Sequence, residues 1–120
     1  MIDHIGFEVS ELERSTRFYD AVFYALGARR MFDSEHAVAY GINGPLVWFV
    51  VRGLRPGPGY GHLALQASGK AAVDAAHAAG LAGGGSDDGA PGQRPQYGRR
   101  YYAGYLLDPD RLRVEILSRR

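Results

Sequence analysis

The chain has no cysteine, which excludes disulfide bracing and thiolate metal sites. It has no excess of charge either: 14 basic side chains face 13 acidic ones, for a formal net charge of +1. Nucleic-acid binders concentrate positive charge, so that partner class is not expected. No stretch comes near the about 18 uninterrupted apolar residues of a membrane span. The opening Met-Ile-Asp-His lacks a basic run followed by an apolar one, so a cytoplasmic protein without a membrane partner is expected. Two kinds of catalytic motif are missing as well. There is no Gly-x-Ser-x-Gly elbow to present a serine and no Gly-x-x-x-x-Gly-Lys-Ser/Thr loop to cradle phosphates.

What is present suits one globular domain. A chain of 120 residues, 46% hydrophobic and 22% charged, can build one core and is too short for two. Ile2 to Val9 alternates with the strand period, Ile5, Phe7 and Val9 on one face and His4, Gly6 and Glu8 on the other. Ser10, with Glu13 three places on, reads as a capping box that opens a helix carrying Leu12, Phe18, Tyr19, Val22, Phe23 and Leu26, ended by Gly27. Strands are expected near 28–32, 37–41 and 46–52. Glycine and proline then crowd 53–61, the best linker in the chain.

After the linker the opening theme returns. His62-Leu63-Ala64-Leu65-Gln66-Ala67-Ser68 matches His4-Ile5-Gly6-Phe7-Glu8-Val9-Ser10 in the order histidine, apolar, small, apolar, polar or acidic, apolar, serine cap. An alanine-rich helix is expected over 70–81 and one short strand inside the long loop Gly83–Arg100. Two final strands, 101–107 and 112–118, flank an Asp108-Pro109-Asp110 turn. The expectation is therefore a single α+β domain over 1–120: a βαβββ module (1–52), a linker (53–61) and a second βαβββ module (62–120).

Three residues stand out chemically. His4 and His62 hold equivalent places in the two halves, on the strand face opposite the larger apolar side chains. Glu115 sits inside Val114-Glu115-Ile116-Leu117, where a carboxylate is costly to bury unless paired or metal-bound. Two imidazoles and a carboxylate suit a divalent ion such as Fe, Mn, Ni or Zn and leave positions open for water or substrate. His36 and His77 are expected at the surface. Arg99, Arg100, Arg111, Arg113, Arg119 and Arg120 read as a solvated rim, with anion binding as the alternative.

The opening segment through Val22, then Gly61-His62-Leu63-Ala64-Leu65, Arg94-Pro95-Gln96-Tyr97, and Tyr101 to Asp110 with Val114-Glu115-Ile116 resemble the glyoxalase/bleomycin-resistance/dioxygenase (vicinal-oxygen-chelate) family. The resemblance covers nearly the whole chain. It implies paired βαβββ units whose sheet curves around a metal cleft, with ligands at His4, His62 and Glu115. Setting Leu46-Val47-Trp48-Phe49-Val50 against Arg113-Val114-Glu115-Ile116-Leu117 puts Trp48 where four-ligand glyoxalases carry a further carboxylate. A three-ligand site follows, with Trp48 lining the cleft.

Two departures bear on function. Arg111 and Leu112 stand where relatives have Gly-Asn, and Gln96 and Gly98 stand where relatives have loop histidines. Tyr97, Tyr101 and Tyr102 are the groups available in place of those histidines. The resemblance implies a metal-dependent lyase, isomerase or dioxygenase acting on a small oxygenated molecule. Glu115 and Tyr101 would serve catalysis, and Trp48, Tyr97, Tyr102 and Arg113 would meet the substrate. The alternative is a metal-free, antibiotic-sequestering binder. By analogy with the family the chain forms a homodimer.

Overall fold

Alternation and helical spacing produce the expected order of elements in the computed structural model, which describes residues 1–57 and 61–120. The first half runs β1 (Ile5–Glu8), α1 (Leu12–Ala25), β2 (Arg29–Asp33), β3 (Ala37–Gly41) and β4 (Pro45–Val50). The second runs β5 (His62–Gln66), α2 (Lys70–Ala82), β6 (Ser86–Gln93), β7 (Tyr102–Leu107) and β8 (Arg113–Ser118). Residues 58–60 of the expected linker lie outside the described residues. Each half forms its own four-stranded mixed sheet, in the orders β1-β4-β3-β2 and β5-β8-β7-β6. The first strand of each half runs parallel to the last, and the other pairs are antiparallel. The fold is α+β, two βαβββ units with one helix each.

The core lies where the helices meet the sheets. From α1, Phe18, Tyr19, Val22 and Phe23 are buried with Val38, Tyr40, Val47 and Phe49. Tyr19 stacks on Phe49 with ring centroids 3.8 Å apart, and Phe23 stacks on Tyr40 at 4.6 Å. In the second half Val73 and Ala76 of α2 join Leu63, Leu106, Val114 and Ile116. All of these belong to one cluster because α1 packs directly on α2. Alanine and glycine on α2 make that approach possible: a Cβ on Gly80 would stand 2.5 Å from Leu106 Cδ1 and 3.0 Å from Val22 Cγ2.

Three expectations are corrected. Ser10 does not cap α1. The N-cap position is Glu11 with no side-chain cap, and Ser10 instead donates its hydroxyl to Asp110 Oδ1 (2.5 Å) and its amide to Oδ2 (3.0 Å). The charged carboxylate takes both donors of Ser10, hydroxyl and amide, and so fixes it ahead of the helix rather than at its N-cap. Ser68 likewise gives way to Gly69 as the N-cap of α2. His77 is buried, not exposed: its Nε2 lies 3.1 Å from the Tyr105 carbonyl oxygen and 3.2 Å from Asp87 Oδ1, in space left by Gly104 beneath it. His36 is exposed as expected. Among the described residues no helix is long and apolar enough to cross a membrane.

Candidate functional site

Strand register places equivalent residues in equivalent rows. Across the first sheet the row reads Phe32, Ala39, Trp48, Gly6; across the second it reads Gly89, Tyr105, Glu115, Ala64. Gly6 pairs with Trp48 as Ala64 pairs with Glu115, so Trp48 occupies in one half the position of Glu115 in the other. Period-2 alternation sends Val47 and Phe49, or Val114 and Ile116, toward the helices. Trp48 and Glu115 consequently sit on the faces turned away from them.

Glu115 is the centre of the second face. Its residue is only 4% exposed, so its charge needs partners. Oε1 lies 3.1 Å from His62 Nε2. Oε2 accepts the Tyr101 hydroxyl and lies 3.4 Å from that of Tyr105. Burial, reinforced by the hydrogen bond to Glu115, pushes the Tyr101 phenol up to about 12, so it remains a donor at neutral pH. Burial and then the charge of Glu115 also raise Tyr105.

Arginines surround these tyrosines. The Arg113 guanidinium lies 4.1 Å from the Tyr105 ring centre, and Arg94 lies 5.3 Å from the same ring. Arg119 lies 4.8 Å from the Tyr101 ring, on which Tyr97 packs edge-on at 5.4 Å. Arg113 Nε donates to Asp88 Oδ2 (2.8 Å). Arg94 Nη2 donates to the carbonyls of Ala90 (2.8 Å) and Ala103 (3.2 Å).

The first sheet carries the other histidine. His4 is exposed, its Nδ1 2.5 Å from Asp3 Oδ1 and its ring edge-on to Trp48 at 6.3 Å. Phe32 lies 5.0 Å from Trp48 on the same face. Within one chain His62 and Glu115 meet, while His4 stands on the other sheet with Trp48. Among the described residues of one chain, no three His, Asp or Glu side chains converge on a point that could hold an ion.

Of the other expected site residues, Trp48, Tyr97, Tyr101 and Arg113 lie on the outward faces or beside them. Tyr102 does not: alternation turns it to the helix side, where its hydroxyl donates to Asp74 Oδ1 (2.7 Å) on α2 and its ring faces Lys70. Tyr105 was not singled out from the sequence. Counting outward from the Asp108–Leu112 turn pairs Leu107 with Arg113 and Tyr105 with Glu115, so the turn was the available signal. Arg94, in the resembling Arg94-Pro95-Gln96-Tyr97 segment, and Arg119, in the expected arginine rim, stand out in the sequence, but their place against these tyrosines depends on how the loop before β7 and the chain after β8 fold back.

The His62–Glu115 pair fits a metal by its donor chemistry and its spacing. Two donors on one ion at about 2.1 Å stand about 3.0–3.4 Å apart, in octahedral or tetrahedral geometry. The observed separation of 3.1 Å falls in that range.

Comparison with known proteins places the chain in a family. The model of the Glyoxalase/Bleomycin resistance protein/Dioxygenase superfamily matches residues 1–116. A glyoxalase/bleomycin resistance protein from Albidiferax ferrireducens T118 is 30% identical, with a TM-score of 0.85, over 98% of this chain and 97% of that one. The fosfomycin resistance protein FosX from Mesorhizobium loti is 24% identical over 98% of this chain and 91% of that one, with a TM-score of 0.72. A mutant of FosX from Listeria monocytogenes, complexed with Mn(II) and a dihydroxypropylphosphonic acid, is 21% identical over 97% of this chain and 87% of that one, with a TM-score of 0.71. The last two likenesses show the fold alone. A search of curated proteins finds no match. On the matched length and the 30% relative, the chain belongs to the glyoxalase/bleomycin resistance protein/dioxygenase superfamily.

Proposed function

We propose that the protein is a metal-dependent enzyme acting on a small oxygenated substrate, at a site shared between two copies of the chain. His62 and Glu115 of one subunit hold a divalent ion (Fe, Mn, Ni or Zn) together with His4 of the partner subunit. The observation that carries the reading is the buried carboxylate of Glu115, with one oxygen turned to His62 and the other held by Tyr101. A carboxylate fixed in that orientation is a prepared ligand, and outer partners of this kind commonly orient metal ligands. When bound, the ion supplies Lewis acidity to chelated substrate oxygens, the chemistry of lyase, isomerase and dioxygenase members alike.

The rest is done by side chains of this chain. Tyr101 keeps its proton and fixes Oε2 of Glu115. Tyr105 adds a second hydroxyl at the same oxygen. Trp48, standing where a fourth ligand would be, contributes an aromatic wall. Sharing between copies is supported by β1 and β5, each at the edge of its sheet with one side unpaired. Such edges invite pairing with another chain. The homodimer closes them against each other and brings the two kinds of outward face together.

The test is complementation. His4→Ala and Glu115→Ala homodimers should each lose metal, measured on protein purified without a histidine tag or chelator. Mixing them with subunit exchange should return about a quarter of wild-type metal content, since half the dimers are mixed and each mixed dimer has one intact site. Folded variants whose mixture regains nothing would reject the shared site. A wild-type protein that holds no divalent ion after loading would reject the metal.

A further inference from the structure

His77 of α2 is a buried polar group that the proposed chemistry leaves unused. It lies on the helix side of the second sheet, 5% exposed, against β7 in space left by Gly104: a Cβ on that glycine would stand 3.1 Å from His77 Cδ2. Two oxygens face its Nε2, the Tyr105 carbonyl at 3.1 Å and Asp87 Oδ1 at 3.2 Å. A carbonyl and a carboxylate accept, so Nε2 carries the proton and donates between them.

Both oxygens lead to Tyr105. The first is its own carbonyl, at a point where the pairing of β6 with β7 slips on both sides of Gly89, the residue opposite Tyr105. An irregular ladder holds a strand less firmly, and the imidazole adds a bond there from the helix side. The second, Asp87 Oδ1, also accepts the Gly89 amide (3.0 Å). Gly89 has a φ of 149° and little room for a side chain, since a Cβ would stand 3.1 Å from Tyr105 Cδ2. The backbone that Asp87 fixes is therefore the seat of the Tyr105 ring. One imidazole thus holds Tyr105 by its carbonyl and by the bed of its ring. On the outward face the hydroxyl of that ring lies 3.4 Å from Oε2 of Glu115, while Oε1 is the oxygen beside His62.

Resting on the metal reading above, we propose that His77 is a positioning residue for the site: through Tyr105 it steadies Oε2 of Glu115, so that Oε1 alone is offered to the ion beside His62. A carboxylate released at Oε2 would be free to swing, binding through both oxygens or turning from the ion. Losing an orienting partner of this kind commonly costs about 10–100-fold in metal affinity.

The test is a double-mutant cycle between His77→Leu and Tyr105→Phe. It is read by Co(II) titration of protein purified without a histidine tag or chelator, and by the visible spectrum of the bound ion. His77→Leu should weaken Co(II) about tenfold and alter the spectrum. His77→Gln, whose amide nitrogen reaches the same place, should recover most of the loss. In the Tyr105→Phe background His77→Leu should cost nothing further, because the route to the ion is already cut. Effects that add in full would make His77 a packing residue and overturn the proposal, as would a folded His77→Leu protein with wild-type Co(II) affinity. A second readout needs no metal. The ring-proton resonances of Tyr105, assigned by their loss in Tyr105→Phe, should report a ring that flips slowly in wild-type protein and faster in His77→Leu. Equal flipping overturns the proposal whether or not an ion binds. If wild-type protein takes up no Co(II) but the ring is freed in His77→Leu, the metal reading falls and the hold on Tyr105 stands. Should His77→Leu not fold, Asp87→Ala, at a side chain 57% exposed, carries both measurements. An unchanged ring and unchanged affinity in that variant overturn the proposal.

Discussion

Tyr101 shows how one proton can set the character of the Glu115 face. An ordinary tyrosine ionises near 10, and here burial and Glu115 raise that to about 12. The folded state therefore holds the proton more tightly than the unfolded chain does. By linkage, the stability this contributes is fully present below pH 10 and is lost as pH rises through about 12. Above that, tyrosinate and carboxylate would face each other as like charges. Tyr101→Phe removes a hydrogen bond to a charged, buried acceptor and should cost about 1.5–3 kcal/mol at neutral pH. Urea unfolding of both proteins across pH should show the gap steady to about pH 10 and closing toward 12. A gap that ignores pH would refute the assigned proton.

At the scale of elements, α2 packs closely on both α1 and β7 around Gly80. On an exposed helix face glycine to alanine gains about 1 kcal/mol. At Gly80 the added methyl would meet Leu106, Val22 and Phe18 at 2.5, 3.0 and 3.1 Å, and all three neighbours are fully buried. Overpacking of this kind costs about 1–3 kcal/mol, so Gly80→Ala should destabilise by about 1 kcal/mol net. The urea midpoint should fall with the slope unchanged; a rise would mean that the joint has slack. The elements also differ in how readable they were. Both helices and most strands followed from spacing of apolar residues, because those residues face the core. β6 did not. Ser86-Asp87-Asp88-Gly89-Ala90-Pro91-Gly92-Gln93 has no alternation, and its pairing with β7 slips on both sides of Gly89. It is an edge strand, where proline and glycine are tolerated, and its residues are specified by the neighbouring strand more than by their own pattern.

Across the whole molecule, the second half is tied to the first through the turn before β8. Asp108 is buried and accepts the Tyr19 hydroxyl (2.7 Å), while Asp110 accepts from Ser10 and Arg14. Arg111 in that turn takes φ of 70°, a left-handed conformation that glycine adopts at less cost. The repeat of His4 and His62 makes the two halves legible in the sequence itself. It did not disclose that each half folds as a separate sheet with its histidine facing outward, since that depends on how α1 and α2 pack. Legibility thus ended at the level where one half packs on the other.

Trp48 is the only tryptophan in the chain, and it stands half-buried on the outward face of β4, between His4 and Phe32. The molecule therefore carries an intrinsic optical reporter at one wall of the proposed site. Two copies closing over that wall would remove water from the indole and shift its emission toward the blue. Diluting the protein should reverse the shift over the same concentrations at which sedimentation shows the particle falling to half its mass. Emission that stays constant through that transition would mean the two copies meet elsewhere. If the two signals move together, assembly of the site can be timed in solution from the indole's colour, with no label attached.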